Sequence, residues 1–147
     1  MEVGLNAVAG FVGPATGGRG RLLHVNLGPG RVKFPELKQI VFLAPGHYRF
    51  EGKLRGTVTA KRGLRWQLSC AAGSHRALAE TDMLMGETEQ WRIFTLEGDV
   101  PQSEDCAGQM LRLFHDSRSP SEEFISGEVW FGSLRLKRIQ DEAKTSE

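Results

Sequence analysis

No apolar run in this 147-residue chain approaches the roughly 18 residues that a membrane-spanning helix needs, so membrane insertion is not expected. The first six residues, from Met1 to Asn6, have neither a basic region nor a long apolar core, so they do not read as a signal peptide. Charge of either sign is not in excess: 19 Lys and Arg stand against 18 Asp and Glu, for a net charge of +1. That balance gives no reason to expect a nucleic acid or an anionic membrane as the main partner. Cysteine is scarce, with Cys70 and Cys106 alone, and no CxxC occurs, which argues against thiol redox catalysis and zinc ribbons. The four histidines, His24, His47, His75 and His115, are isolated; no HxH or HExxH spacing and no GxSxG elbow accompanies them. Gly13 to Gly20 is glycine-rich but lacks the Lys-Ser/Thr pair of a phosphate loop. Amphipathic helices longer than two turns, internal repeats and heptads are also missing.

Turn residues, by contrast, are plentiful. Eighteen glycines and six prolines are spread along the chain, as frequent turns between short strands require. The composition, 39% hydrophobic and 25% charged, is ordinary for a globular protein, and the length suits one domain, 1–147, with its own core. Residues 1–19 read as an edge strand near Val8 to Val12 followed by a flexible loop. A strand is predicted over 21–27, then a turn at Gly28-Pro29-Gly30 and a short strand over 32–34. A strand over 39–43 ends at Pro45-Gly46, where proline presets φ and glycine supplies the positive φ of a type II turn. Tyr48, Phe50, Gly52 and Leu54 then share one face of a strand over 48–58. The clearest alternation sets Leu64, Trp66, Leu68 and Cys70 against Arg65, Gln67 and Ser69. Residues 77–85 fit a strand or a short helix. Further strands are predicted over 91–96, 108–115 and 127–139, the last with a bulge at Gly132. The core thus spans 20–139, with a polar, frayed tail over 140–147. About eight or nine short strands at regular spacing describe an all-β sandwich or barrel.

Cys70 and Cys106 are either two buried thiols, packing as small hydrophobes, or one disulfide, which would place the chain outside the cytoplasm. We expect the disulfide. Cys70 ends a strand against the core, and Cys106 lies in a loop entering another strand, a geometry that ties a loop to a sheet.

Several segments, taken in order, carry a resemblance. They are Leu43 to Tyr48, Gly63 to Cys70, Trp91 with Phe94, Val100-Pro101, Cys106 with Gln109 to Leu113, and Gly127 to Phe131. Together they resemble a carbohydrate-binding-module-like jelly roll of the galactose-binding-domain-like class. More specifically, the chain is similar to a module at the ends of larger bacterial envelope proteins, some with tetratricopeptide repeats. The resemblance covers residues 20–139. It implies a two-sheet antiparallel β-sandwich of jelly-roll type that binds rather than catalyses, in the periplasm or cell envelope. Its implied partners are carbohydrate or other domains of a parent protein. Such sandwiches often hold a structural calcium through an aspartate after the final Trp-Phe. Here Gly132 and Ser133 follow Trp130-Phe131, and neither supplies a carboxylate. That departure puts calcium in doubt, and no other cofactor is expected.

Sugar rings present C–H faces to aromatic rings and hydroxyls to polar groups. Tyr48, Trp66, Trp91 and Trp130 are therefore the aromatic candidates. Trp130 points opposite to Val129 and Phe131, hence outward if those two are core. Trp66 shares a face with Leu64 and Leu68, and packing is its plainer role. Trp91 opens a strand and reads as a cap on the sandwich end. Arg49, Arg55, Arg65, Gln67, Gln109 and Arg112 sit opposite expected core residues and could grip hydroxyls or acidic groups, or simply be a solvated sheet face. The expected ligand site is Trp130 or Trp66 for stacking, with Arg65, Gln67, Gln109 and Arg112 for hydrogen bonds. The alternative is a structural or protein-interaction sandwich with no sugar ligand. Lys53, Arg55, Lys61, Arg62 and Arg65 form a local basic run too short for a nucleic-acid claim. Glu87, Glu89, Glu122 and Glu123 read as solvated carboxylates rather than a catalytic pair.

Overall fold

Alternation of apolar and polar residues is a folding instruction for half-buried strands, and the chain follows it almost throughout. The computed structural model describes residues 2–3, 7–8, 13–14, 23–34 and 36–139. The strands are β1 (Glu2–Val3), β2 (Ala7–Val8), β3 (Gly13–Pro14), β4 (Leu23–Lys33), β5 (Leu37–Val41), β6 (Gly46–Ala60), β7 (Leu64–Cys70), β8 (Ala77–Glu80), β9 (Gly86–Val100), β10 (Gln109–His115) and β11 (Phe124–Arg138). Two single 3-10 turns, Glu104–Cys106 and Pro120–Glu122, are the helical pieces among the described residues. No helix there is long and apolar enough to cross a membrane.

The larger sheet has the order β1-β2-β4-β11-β6-β9, with β3 beside β11; the smaller has the order β5-β10-β7-β8. From β4 to β7 the chain changes sheet at every connection, and it does so again after β8, β9 and β10. Apart from the parallel β3–β11 pair, neighbours run antiparallel. This is a two-sheet antiparallel β-sandwich with jelly-roll connectivity, as the resemblance implies.

Inward-facing residues of both sheets interlock to form one core. Phe50 of β6, Phe94 of β9 and Phe131 of β11 come from the larger sheet, and Trp66 of β7 from the smaller. Trp66 packs tilted on Phe50, with centroids 4.9 Å apart, and edge-on to Phe131 at 5.6 Å. These are the offset and T-shaped contacts that aromatic quadrupoles favour. Leu64, Leu68, Leu111 and Leu113 close the smaller sheet's side, all essentially inaccessible.

Cys70 and Cys106 are joined, as expected, with Cα atoms 4.6 Å apart and both residues buried. The bond ties the end of β7 to the turn that leads into β10. Ala71 N–H donates to Gly108 O at 2.9 Å alongside it.

Several local readings are corrected. Gly28-Pro29-Gly30 does not end a strand, because β4 runs through it to Lys33. Its partner β11 shifts register there, so the extra residues are absorbed as a bulge. Pro45-Gly46 is not a type II turn: Gly46 has φ of 158°, close to extended, and already pairs with Val100. The corner is held instead by the Tyr48 hydroxyl, which donates to Ala44 O at 2.8 Å. Residues 77–80 are strand, and Leu84 bridges back to Leu64. Strand β5 ends at Val41, β9 is far longer than its apolar stretch, and β11 starts at Phe124. The expected bulge is present: β11 shifts register between Gly132 and Arg135, with Ser133 at φ 52°. The expected edge-strand residues 9–12, loop residues 15–20 and tail 140–147 lie outside the described residues.

Candidate functional site

The site begins with one direct cross-strand row on the outer face of the larger sheet. His24 of β4 lies opposite Trp130 of β11, and Trp130 lies opposite Arg55 of β6. The fourth member arrives through a bulge. Leu54 pairs with Arg92 and Gly56 with Thr88, so Glu89, Gln90 and Trp91 together face Arg55 alone. The Thr88 hydroxyl donates to Gln90 O at 3.0 Å and closes that bulge. Trp91 thereby comes beside Arg55.

The side chains interleave. Lys53 Nζ stands 4.7 Å from the Trp91 ring centroid, and the Arg55 guanidinium carbon lies 5.0 Å from Trp91 and 5.7 Å from Trp130. His24 stacks on one face of Trp130, centroids 4.9 Å apart and planes within 3°. A hydrogen bond between His24 Nε2 and Glu128 Oε2 holds the imidazole flat on the indole. Both indoles are half-buried, and Ile93 beside them is 77% exposed. Cation–π contact at an exposed site is worth about 0.5–1 kcal/mol, enough to bias the exposed Arg55 side chain toward this position.

The glycines beneath this row fix its shape. A Cβ on Gly56 would lie 2.2 Å from Glu128 O, and one on Gly127 would lie 2.1 Å from Thr57 O. Both residues have positive φ, 126° and 118°. Strands β6 and β11 therefore approach more closely here than side chains allow.

The other expected site residues go elsewhere. Trp66 is a correction: it is 3% exposed inside the aromatic core, so neither ring face is open to a ligand. Gln109 is a second correction, since it points inward with Leu111 and Leu113 and is fully buried. Its side-chain oxygen accepts from Leu43 N–H at 2.7 Å, and its amide donates to Cys106 O at 2.7 Å, which supports the disulfide turn.

Arg65, Gln67 and Arg112 lie together on the outer face of the smaller sheet, across the sandwich from Trp130. The expected set is thus divided between opposite faces. These three are also occupied with each other and with acids. Arg112 donates to Gln67 Oε1 at 2.9 Å and pairs with Glu36; Gln67 donates to Glu80 at 2.9 Å. Arg65 donates to Asp116 Oδ2 at 2.6 Å, and Arg62 reaches the same oxygen at 2.9 Å. The basic run seen in the sequence is therefore split: Lys53 and Arg55 belong to the larger sheet, and Arg62 and Arg65 to the Asp116 cluster. Glu122 is not a solvated carboxylate, because Arg118 grips both its oxygens.

Asp116 and Glu122 make that cluster acid-sensitive. Hydrogen bonds from Arg65 and then Arg62 hold the Asp116 carboxyl below its ordinary range. Bonds from the Arg118 side chain and backbone lower Glu122 to about 2. Both folded-state values lie under those of the unfolded chain, about 4. Their stabilisation is complete above that value and is lost as pH falls through the folded values. Asp116→Asn is expected to cost about 2 kcal/mol at pH 7 and to flatten the decline in stability below pH 4. Urea unfolding from pH 7 to pH 2 checks this, and an unchanged acid limb would count against the cluster.

Among the described residues, no three His, Cys, Asp or Glu side chains are grouped to hold a metal. Gly132 sits in the β11 bulge and brings no carboxylate there. A groove of about 380 Å³ runs between Thr81–Leu84 and Arg92–Thr95, along the free side of β9.

No family model matches the chain, and no curated protein does. Among solved structures, one described as "EclA C-terminal domain; sugar-binding protein" is similar at a TM-score of 0.41 with 10% identity, over 93% of this chain and 81% of that one. The jelly-roll assignment stands on strand order and pairing, not on that likeness.

Proposed function

We propose that this protein is a non-catalytic binding module that holds a glycan on the outer face of its larger sheet. Trp91 and the part of the Trp130 indole that His24 leaves uncovered are the stacking platform, and Arg55 and Lys53 supply hydrogen bonds. One observation carries the reading: two half-exposed indoles bracket an arginine on a sheet face, in a row that four strands cooperate to build. An indole left open to water needs a reason, and a sugar's C–H face meets it while its hydroxyls reach the adjacent cations. A binding role is also favoured over catalysis by the state of the carboxylates. Asp116 lies between two arginines and Glu97 between His47 and Arg49, so both are held charged rather than tuned as a general acid. The buried disulfide supports an oxidising, extracytoplasmic setting, with the module serving as part of a larger envelope protein.

A protein-interaction role has one observation in its favour. Ile40 and Phe42, on and just after β5 at the rim of the smaller sheet, are 50% and 80% exposed.

A glycan array followed by tryptophan-fluorescence titration separates the two. Trp130→Ala and Trp91→Ala are each expected to weaken binding about 30-fold, the scale of a hot-spot residue, and to move Tm by less than about 4 °C. A blank array on folded protein, or hits indifferent to both substitutions, would sink the glycan reading. Binding of a protein partner lost on Phe42→Ser would then favour the alternative.

A further inference from the structure

We infer that the glycan taken by this platform is anionic, carrying carboxylate or sulfate groups; the inference rests on the platform reading above. It comes from how charge is partnered on the two outer faces. On the smaller sheet every arginine of the cluster has an acid: Arg112 has Glu36, and Arg62 and Arg65 share Asp116. On the larger sheet, Lys53, Arg55 and Arg135 have no carboxylate partner among the described residues. The neighbouring acids are already engaged, Glu128 by His24 and Glu51 by Arg49 and Lys137.

The three cations occupy successive rows of the same face. Arg55 lies opposite Trp130, Lys53 opposite Gly132, and Arg135 opposite Glu51. Glu87, opposite Thr57, lies toward the other end, and Glu89, in the β9 bulge that faces Arg55, forms no ion pair with it among the described residues. The stripe is therefore positive from the indoles toward Arg135. With net charge near zero overall, this is a local concentration of unpaired cations, the kind that recruits an anion.

Geometry adds a preference for an acid on a ring. Arg55 lies between the Trp91 and Trp130 rings, 5.0 Å and 5.7 Å from their centroids, and its N–H fork has no carboxylate partner among the described residues. A carboxylate or sulfate can take that fork bidentately while its sugar ring lies on the adjoining indole. A neutral sugar's hydroxyls can accept from the fork only through weaker bonds without charge assistance.

Matched glycans test this on the intact protein: polygalacturonate against its methyl ester, and dextran sulfate against dextran, with a thymidine oligonucleotide as the non-sugar polyanion. The acidic member of at least one pair should bind about tenfold tighter than its neutral counterpart at low salt. That gap should shrink with added salt and close in Arg55→Gln and Lys53→Gln, while Trp130→Ala removes binding to both members. A preference in the first pair identifies carboxylate, and one in the second identifies sulfate. Neutral glycans bound as tightly as acidic ones, with Arg55→Gln silent, would overturn the anionic assignment and leave the platform standing. Trp130-dependent binding of the oligonucleotide, with no glycan bound, would overturn both in favour of single-stranded nucleic acid. No binding by any probe would overturn the platform itself.

Discussion

Gly127→Ala is expected to yield no cooperatively folded protein at 25 °C. The added Cβ would lie 2.1 Å from the Thr57 carbonyl oxygen and 2.9 Å from its carbon, distances that no rotamer change relieves because both atoms are backbone. Residue 127 also has φ of 118°, a region that costs a non-glycine residue about 1–3 kcal/mol before any clash. Relief requires β11 to move away from β6, and β11 is hydrogen-bonded on its other side to β4. Gly86→Ala provides the comparison. Gly86 has φ of 92°, yet a Cβ there meets nothing within 4 Å. It should cost only the backbone strain, about 1–2 kcal/mol. Circular dichroism and urea melts of the two variants give the answer. Equal, modest losses would show that the close approach of β6 and β11 is soft.

Loss of the Cys70–Cys106 bond is expected to cost about 4 kcal/mol in the chain-entropy account, because it closes a loop with a sequence separation of 36. For a domain whose whole stability is about 5–15 kcal/mol, this is a large share. Both cysteines are buried, so a reductant reaches the bond only through opening of the turn. The native protein should therefore resist dithiothreitol until denaturant is added, and then unfold at lower urea once reduced. The Cys70→Ala, Cys106→Ala double variant should reproduce the reduced midpoint. A double variant as stable as the parent would show that the turn is held by its backbone hydrogen bonds and Gln109 alone.

Strand β7 was legible residue for residue, from Leu64 to Cys70, because the apolar residues of its core face alternate strictly with Arg65, Gln67 and Ser69, although Gln67 and Ser69 are buried too. The same alternation placed Leu111 and Leu113 inward and Trp130 outward. It also assigned Trp66 correctly to the face of Leu64 and Leu68; reading it as a ligand residue followed aromatic chemistry instead of the pattern. Gln109 was misread for the same reason. It shares parity with Leu111 and Leu113, and its polarity serves the backbone of Leu43 and Cys106 rather than a ligand.

The make-up of the candidate face was not legible. Alternation says which way a side chain points but not which strand lies next to it. That His24, Arg55 and Trp130 form one row depends on β11 lying between β4 and β6, a matter of topology. Trp91 depends further on a bulge whose residues, Glu89 and Gln90, resemble any polar turn. The Gly-Pro-Gly of β4 misled for a related reason. Its residues favour a turn locally, but two flanking stretches of β4 pair with the same partner and carry the strand through.

The placement of β11 has a consequence for how this chain comes into being. The last of the described strands is the one on which the larger sheet closes, since β4 and β6 each pair with it and not with each other. A nascent chain emerging from its amino end can pair all four strands of the smaller sheet first, but cannot complete the larger one until Phe124–Arg138 has appeared. Non-local pairing of this kind folds slowly. The cross-link and the smaller sheet can therefore be in place while the larger layer still has a gap, and the two-layer core closes only when β11 fills it.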